Sequence, residues 1–254
     1  MDALSSLVEA RATGRPCPPV RGLLPAGDLG AAYAVQAAWV EAEVAAGACV
    51  VGRKIGLTNP AVQAQLGVDR PDFGTLLSWM DCSGPGPIDV GELLQPRIEA
   101  EVAFILGADL DGPELGPAEV AAATAAVAPA LEIVDSRIAG WEIDIVDTVA
   151  DNASSGLFVL GAARVAVAGL DLPACTMTMS RSGAPVSAGS GAACLGDPLL
   201  AVAWLATTAR ALGVPLRAGE IVLSGALGPM VPLRAGEHYE ATIDGIGTVS
   251  AAFA

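Results

Sequence analysis

The 254-residue chain is 53% hydrophobic and only 16% charged, with a net charge of −15. The negative charge excludes nucleic acid and anionic membrane surface as partners, and it means that an anionic substrate must meet concentrated positive charge locally. Composition and length allow a deep core in one large domain, and the shortage of charge for covering a monomer implies a homo-oligomer.

In chain order, Asp28 is the expected N-cap of a helix running to about Ala46 and closed by Gly47, with Tyr33, Ala37, Val40 and Val44 on one face. "CVVGRKIGLT" has the pattern of a strand carrying Lys54, and Asn59-Pro60 opens a short helix ending near Gly67. "VDRPDFGTLLSWM" is expected to be a loop, with Asp72 in a tight turn, and Ser83 to Pro87 is a Gly/Pro-rich linker. From Pro96 the character changes. "RIEAEVAFIL" is a strong strand, Pro117 opens an Ala-rich helix, and "ALEIVDSRI" and "GLFVLGAARV" are further strands around the polar "VDTVADNASS". Asp197-Pro198 caps a helix to Gly213, "GEIVLSGALG" is a strand entering a glycine-rich turn, and a hairpin forms around Asp244-Gly245. This order predicts an α+β fold: a helical N-terminal region over residues 1–90 and a mostly β core over 91–254, forming one continuous unit.

No stretch has the ~20 strongly apolar residues of a membrane span. The N-terminus carries Asp2 and Glu9 and has no signal-peptide pattern. Five widely spaced cysteines, odd in number and without a CxxC pair, predict reduced thiols in a cytoplasmic protein.

Scarcity narrows the chemistry. There is one histidine, His238, and one lysine, Lys54. A single histidine disfavours a Ser-His-Asp triad, a Cys-His dyad and a His-rich zinc site, and no phosphate-binding glycine motif is present. What is left is carboxylate chemistry, one lysine, hydroxyls and backbone amides. Oxygen ligands point to Mg²⁺ or Mn²⁺.

Glu99 and Glu101 lie two apart on a predicted strand and so leave the same face, which continues as Ala103 and Ile105; the other face is Val102, Phe104 and Leu106. Two carboxylates entering such a core cost several kcal/mol unless neutralised, and a dication would neutralise both. Solvation at an exposed strand start is the alternative, and the pattern by itself leaves both open. Glu132, between Leu131 and Ile133, repeats the oddity. Lys54 in its apolar segment is either a proton carrier with a lowered pKa or a solvated surface group. The segment Asp147 to Ser155 is either a pocket lining or a capped turn.

Five blocks then carry a resemblance: "GRKIGLTNPAVQAQLGVDRPDFGTLL", "QPRIEAEVAF", "PALEIVDSRI", "DTVADNASSG" and "LSGALGPMV". In order and spacing, from about Ala31 to the C-terminus, they closely resemble the 2-keto-4-pentenoate hydratases of the fumarylacetoacetase-like superfamily. The resemblance implies a mixed β-sandwich roll with a helical N-terminal region, assembled as a homopentamer or homodecamer. It implies Glu99, Glu101 and Glu132 as ligands of Mg²⁺ or Mn²⁺, and Lys54 and Asp72 as acid/base groups. It places Ser154 and Ser224 in blocks that line the substrate pocket. The implied reaction is addition of water to 2-hydroxypenta-2,4-dienoate, or a close homologue, giving 4-hydroxy-2-oxopentanoate. A sister activity, 4-oxalocrotonate decarboxylase, is the alternative, with Asp72 in the P-D-F-G block favouring the hydratase. Association with a decarboxylase or aldolase partner is implied by the same analogy. The first thirty residues and His238 lie outside the matching blocks.

Overall fold

The computed structural model describes residues 2–59, 63, 68 and 70–254. The short helix expected between Asn59 and Gly67 lies almost entirely outside the described residues. Two helices open the chain. Helix α1 (Ala3–Thr13) is capped by Asp2, whose carboxylate accepts from Ser5 N at 2.8 Å, and stopped by Gly14 in the left-handed region. Helix α2 (Leu29–Ala45) starts at Asp28, which accepts from Ala31 N at 3.0 Å, as the sequence predicts.

The buried face of α2 differs from the expected one. It runs through Ala32 and Gln36, whereas Ala37 and Val44 are exposed. The reason is polar: Gln36 Nε2 donates to Phe73 O at 2.9 Å and to Val149 O at 3.0 Å, and Tyr33 stacks on Phe73. A hydrophobic pattern cannot anticipate a helix docked through a buried amide.

Strand β1 (Val50–Gly56) pairs antiparallel with β2 (Asp72–Leu77). The expected loop around Asp72 is therefore a fully buried strand, and its run of Phe73, Thr75, Leu76 and Leu77 has the β-formers to support it. Because β1 and β2 belong to the main sheet, residues 1–90 are not purely helical. Strand β3 (Arg97–Leu106) has the predicted bounds. The Ala-rich helix α3 (Pro117–Ala123) is shorter than expected, and β4 (Thr124–Val134) begins at once. Pro129 sits inside β4. Its carbonyl accepts from Gly161 N just past the end of the β5 ladder, so its missing N–H costs the β3 pairing nothing.

Helix α4 (Ile145–Ala150) and a left-handed turn at Asn152–Ser154 lead into β5 (Ser155–Leu160). Strands β6 (Thr176–Arg181) and β7 (Ala184–Ser190) were not legible from composition: they are built from Thr, Ser, Gly and Ala, with Met177 and Met179 turned inward. Helix α5 (Pro198–Ala211) is capped by Asp197. Strands β8 (Ile221–Ala226) and β9 (Val231–Pro232) precede the predicted hairpin of β10 (His238–Ile243) and β11 (Gly247–Ala252), with His238 exposed at its start.

The larger sheet has the order β2-β1-β8-β3-β4-β5, with β9 on β3; the smaller has β11-β10-β6-β7. Among the described strands only β1 and β8 pair in parallel. One face of β3 and β4, through Val102, Phe104, Leu131 and Ile133, packs in a common core with Met177, Met179, Tyr239 and Val249 of the smaller sheet. The other face carries the small side chains of Ala103, Ala128 and Ala130 beside the glutamates, packed with Leu223.

By length and apolar composition alone, Gly191–Ala211 is sufficient to cross a membrane, a candidate not singled out from the sequence. It is broken by Asp197-Pro198, and α5 buries Ala201, Val202, Leu205, Ala206 and Ala209 in the core. All five cysteines are free.

Candidate metal centre and active site

The site grows from strand register. Glu99 of β3 stands directly opposite Glu132 of β4, and Glu101 lies two residues along the same face. One carboxylate oxygen from each of the three lies within 4.8 Å of the others. Glu101 and Glu132 are fully buried, and Glu99 is half-buried and faces the cavity. Strand β8 contributes the backbone: Gly225 N donates to Glu101 Oε2 at 2.7 Å. Glu101 Oε1 and Glu132 Oε2 have no hydrogen-bond donor, and Glu132 Oε1 has only the ammonium of Lys54. Burial, then repulsion from Glu132, pushes Glu99 up to about 7; the same causes raise Glu101 well above the ordinary carboxylate value. Orphaned, mutually repelling buried oxygens are what a dication would satisfy, so these three residues fit an oxygen-liganded divalent metal.

Lys54 of β1 enters from the neighbouring strand. Its Nζ lies 3.1 Å from Glu132 Oε1, and both side chains are buried. Burial opposes its charge, but Glu132, Asp72, Glu99 and Glu101 outweigh burial and raise its pKa, so it is held as an ammonium. This is the reverse of the lowered value expected for a desolvated lysine. The glutamates decide the difference. Asp72 starts β2, and its diagonal relation to Lys54 puts both on one face, since Lys54 pairs with Gly74 and Gly56 pairs with Asp72. A Cβ on Gly56 would come within 2.2 Å of Asp72 Oδ1, so glycine there is what gives the carboxylate its place. Burial raises the Asp72 pKa, opposed by Lys54 and by a hydrogen bond from Thr148.

A cavity of about 250 Å³ opens onto these groups. Lys54, Asp72 and Glu99 supply its charge, and Thr58, Thr148 and Ser154 its hydroxyls. Apolar walls come from Leu57, Val134, Trp141, Ile143 and Met230.

Residues 80–254 match the family model for the fumarylacetoacetate (FAA) hydrolase C-terminal region. A 2-keto-4-pentenoate hydratase from Paraburkholderia xenovorans (strain LB400) is 51% identical over 99% of this chain and 94% of its own. 2-Keto-4-pentenoate hydratase 2 of Dechloromonas aromatica (strain RCB) is 52% identical over 99% and 96%. The chain belongs to the 2-keto-4-pentenoate hydratase family. Among solved structures, the 4-oxalocrotonate decarboxylase from Pseudomonas putida G7, complexed with magnesium and adipate, superposes with a TM-score of 0.93 at 33% identity, covering 99% of this chain and 97% of that one. The mixed sandwich roll predicted from the resemblance is the fold observed.

In this hydratase-family chain the five charged residues singled out from the sequence cluster together, with Lys54, Asp72 and Glu99 lining one cavity and Glu101 and Glu132 buried beside Glu99. Ser154 joins them on its wall, with its Oγ donating to Asp151 Oδ2 at 3.1 Å. Ser224 does not line the cavity: it is fully buried on β8, its Oγ 4.0 Å from Cys194 Sγ. The Asp147–Ser155 segment turns out to be both a capped turn and a pocket lining. Asp147 accepts from Arg21 and never reaches the cavity, whereas Thr148, Ala153 and Ser154 do.

Asn152 was not picked out, yet it locks the wall to β2. Its Oδ1 accepts from Thr75 N at 2.7 Å and its Nδ2 donates to Thr75 O at 2.9 Å. Arg137 and Asp151 form a buried ion pair behind it. Gly56, Gly74 and Gly225 were missed as well; isolated glycines inside strand patterns were the available signal.

Proposed function

We propose that this chain catalyses the addition of water to 2-hydroxypenta-2,4-dienoate, or a close homologue, to give 4-hydroxy-2-oxopentanoate. The observation that carries the reading is the family membership at about half identity over nearly the whole chain, joined to a buried three-glutamate cluster beside a lysine and an aspartate. Glu99, Glu101 and Glu132 hold a divalent cation, with Mg²⁺ the first choice and Mn²⁺ the second. When bound, the ion supplies Lewis-acid stabilisation of negative charge developing on the substrate 2-oxygen.

The chain's own residues do the remaining work. The substrate carboxylate enters a site whose net protein charge is offset locally by Lys54. Lys54 Nζ, held as an ammonium, is a proton donor at the cavity surface. Asp72, with its raised pKa and its hydrogen bond from Thr148, accepts and returns a proton beside it. Together they convert the dienol to the 2-oxo-3-enoate, so that water can add at C4 and a proton at C3. Ser154 orients the substrate from the wall. Ser224 acts only through the backbone of β8.

The same reading takes the protein to be a cytoplasmic homopentamer or homodecamer. It takes residues 1–90 and 91–254 as two regions of one unit, and association with a decarboxylase or aldolase as a partner. The decarboxylase activity is the second reading, favoured by the structural match alone and set behind the hydratase by its lower identity of 33%.

The test is direct. Purified protein with Mg²⁺ and freshly generated 2-hydroxypentadienoate should bleach the dienol absorbance and yield the 4-hydroxy product. Faster release of CO₂ from 4-oxalocrotonate would overturn the assignment.

A further inference from the structure

The metal cluster leans on a backbone irregularity. Along β3 there are two residues from Glu101 to Ala103, but their partners on β8 are three apart, Ala226 and Leu223. The extra residue is a bulge at Ser224-Gly225, and Gly225 takes a φ of +107° that side chains rarely adopt. Its N–H is the one that holds Glu101 Oε2. Whatever fixes this bulge therefore fixes which oxygen of Glu101 is left for a cation.

The segment Ser190–Leu195 backs the bulge. Ser190 N donates to Leu227 O at 2.9 Å, and Leu195 N donates to Thr58 O at 3.1 Å. Between these two anchors the thiol of Cys194, which is fully buried, donates to Gly225 O at 2.9 Å. Thr58 hydrogen-bonds the same sulfur and packs where a Gly225 side chain would go, 2.4 Å from that Cβ position. The thiol and Glu101 thus hold two groups of one residue, the carbonyl and the amide that flank the Gly225 α-carbon.

We infer that Cys194 is a positioning residue for the metal centre: its S–H pins the carbonyl of Gly225 so that the amide of the same residue stays on Glu101. The thiol touches neither substrate nor cation. It acts through the bulge, as partners behind metal ligands commonly do. The inference rests on the three-glutamate metal reading, and its test keeps the two apart.

Mn²⁺ affinity, followed by the electron paramagnetic resonance signal of the free ion, reads the site without turnover. Wild-type protein should bind Mn²⁺ and Glu101→Gln should not; a wild type that fails to bind overturns the metal reading and this inference with it. Cys194→Ala and Cys194→Val, which lack the donor, should weaken binding by about tenfold or more, whereas Cys194→Ser should retain most of it. A packing role predicts the opposite order, with the volume-keeping valine like wild type and serine no better than alanine. That order overturns the inference, as does a lowered melting temperature with affinity unchanged. Should both donorless variants fail to fold, the serine variant decides alone: binding near wild type supports the pin, and a tenfold loss refutes it.

Discussion

Glu99 and Glu132 are cross-strand partners on adjacent antiparallel strands, and the ammonium of Lys54 lies 3.1 Å from Glu132 on the same face. Like charges placed directly opposite destabilise a sheet, and one lysine cannot balance two buried carboxylates and a half-buried third. Glu101, deepest of the three, has one oxygen on Gly225 N and the other without a donor. Glu101→Gln keeps an acceptor for that amide and removes a repelling charge. Metal binding and turnover should fall by at least about 100-fold, while the metal-free protein becomes more stable. Calorimetric titration and thermal melts of the same preparation check both; a variant as active as wild type would remove Glu101 from the site.

Metal removal should make stability depend on pH in an unusual direction. Glu99 is raised from an ordinary 4.5 to about 7, and Glu101 and Asp72 are raised with it. Between about pH 4.5 and 7 the folded chain keeps a proton that the unfolded chain has lost, so stability falls as pH rises. With a dication bound, the carboxylates are held ionised and the slope flattens, and metal affinity rises across the same window. Melting temperatures of chelator-treated and Mg²⁺-loaded protein from pH 5 to 8 should therefore diverge with pH. Parallel curves would mean that the cluster does not bind the ion.

The proposed proton-handling role of Lys54 and Asp72 can be tested from both strands. Lys54→Met removes the ammonium and should lower kcat by about 10²–10⁴-fold, with Mn²⁺ still bound. Gly56→Ala touches neither group, but its Cβ would fall 2.2 Å from Asp72 Oδ1 and must push that side chain aside. It should cost activity on the order of 10²-fold through misplacement, with little change in metal affinity. Normal turnover in Gly56→Ala would show that the position of Asp72 is not critical.

The charged centre was legible in the sequence because its residues break local rules. Glu99, Glu101 and Glu132 interrupt apolar strands, and a chain with one lysine draws attention to Lys54. The family blocks then fixed Asp72, although the local pattern around it suggested a turn; its strand character shows only when β1 is present to pair with it. Other features are tertiary in origin. Gln36 is a buried helix residue whose partners lie 37 and 113 positions away. Met177 and Met179 mark a strand only because the larger sheet packs against them. Ser224 was carried over with its block, but alternation along β8 puts it on the Val222 face, opposite Leu223, with its hydroxyl near Cys194.

The left-handed turn beside the cavity offers a test of stored strain. Asn152, Ala153 and Ser154 have φ values of 53°, 51° and 51°, each costing about 1–2 kcal/mol for a residue with a Cβ. Asn152 recovers part of this through Thr75, and Ser154 through Asp151. Ala153 has no side-chain partner to do so, yet it is buried and forms part of the cavity wall. Ala153→Gly relieves the strain but gives the unfolded chain more freedom, about 0.4–1 kcal/mol in the other direction. The net expectation is a small gain, about 0.5 kcal/mol, in a wall that now moves more easily. Thermal melts should show equal or higher stability, and kinetics a raised KM with kcat less affected, because the wall orients substrate without exchanging protons with it. A clear loss of stability would mean that the methyl group's packing outweighs the backbone strain, and that the turn is held by its core contacts and not against them.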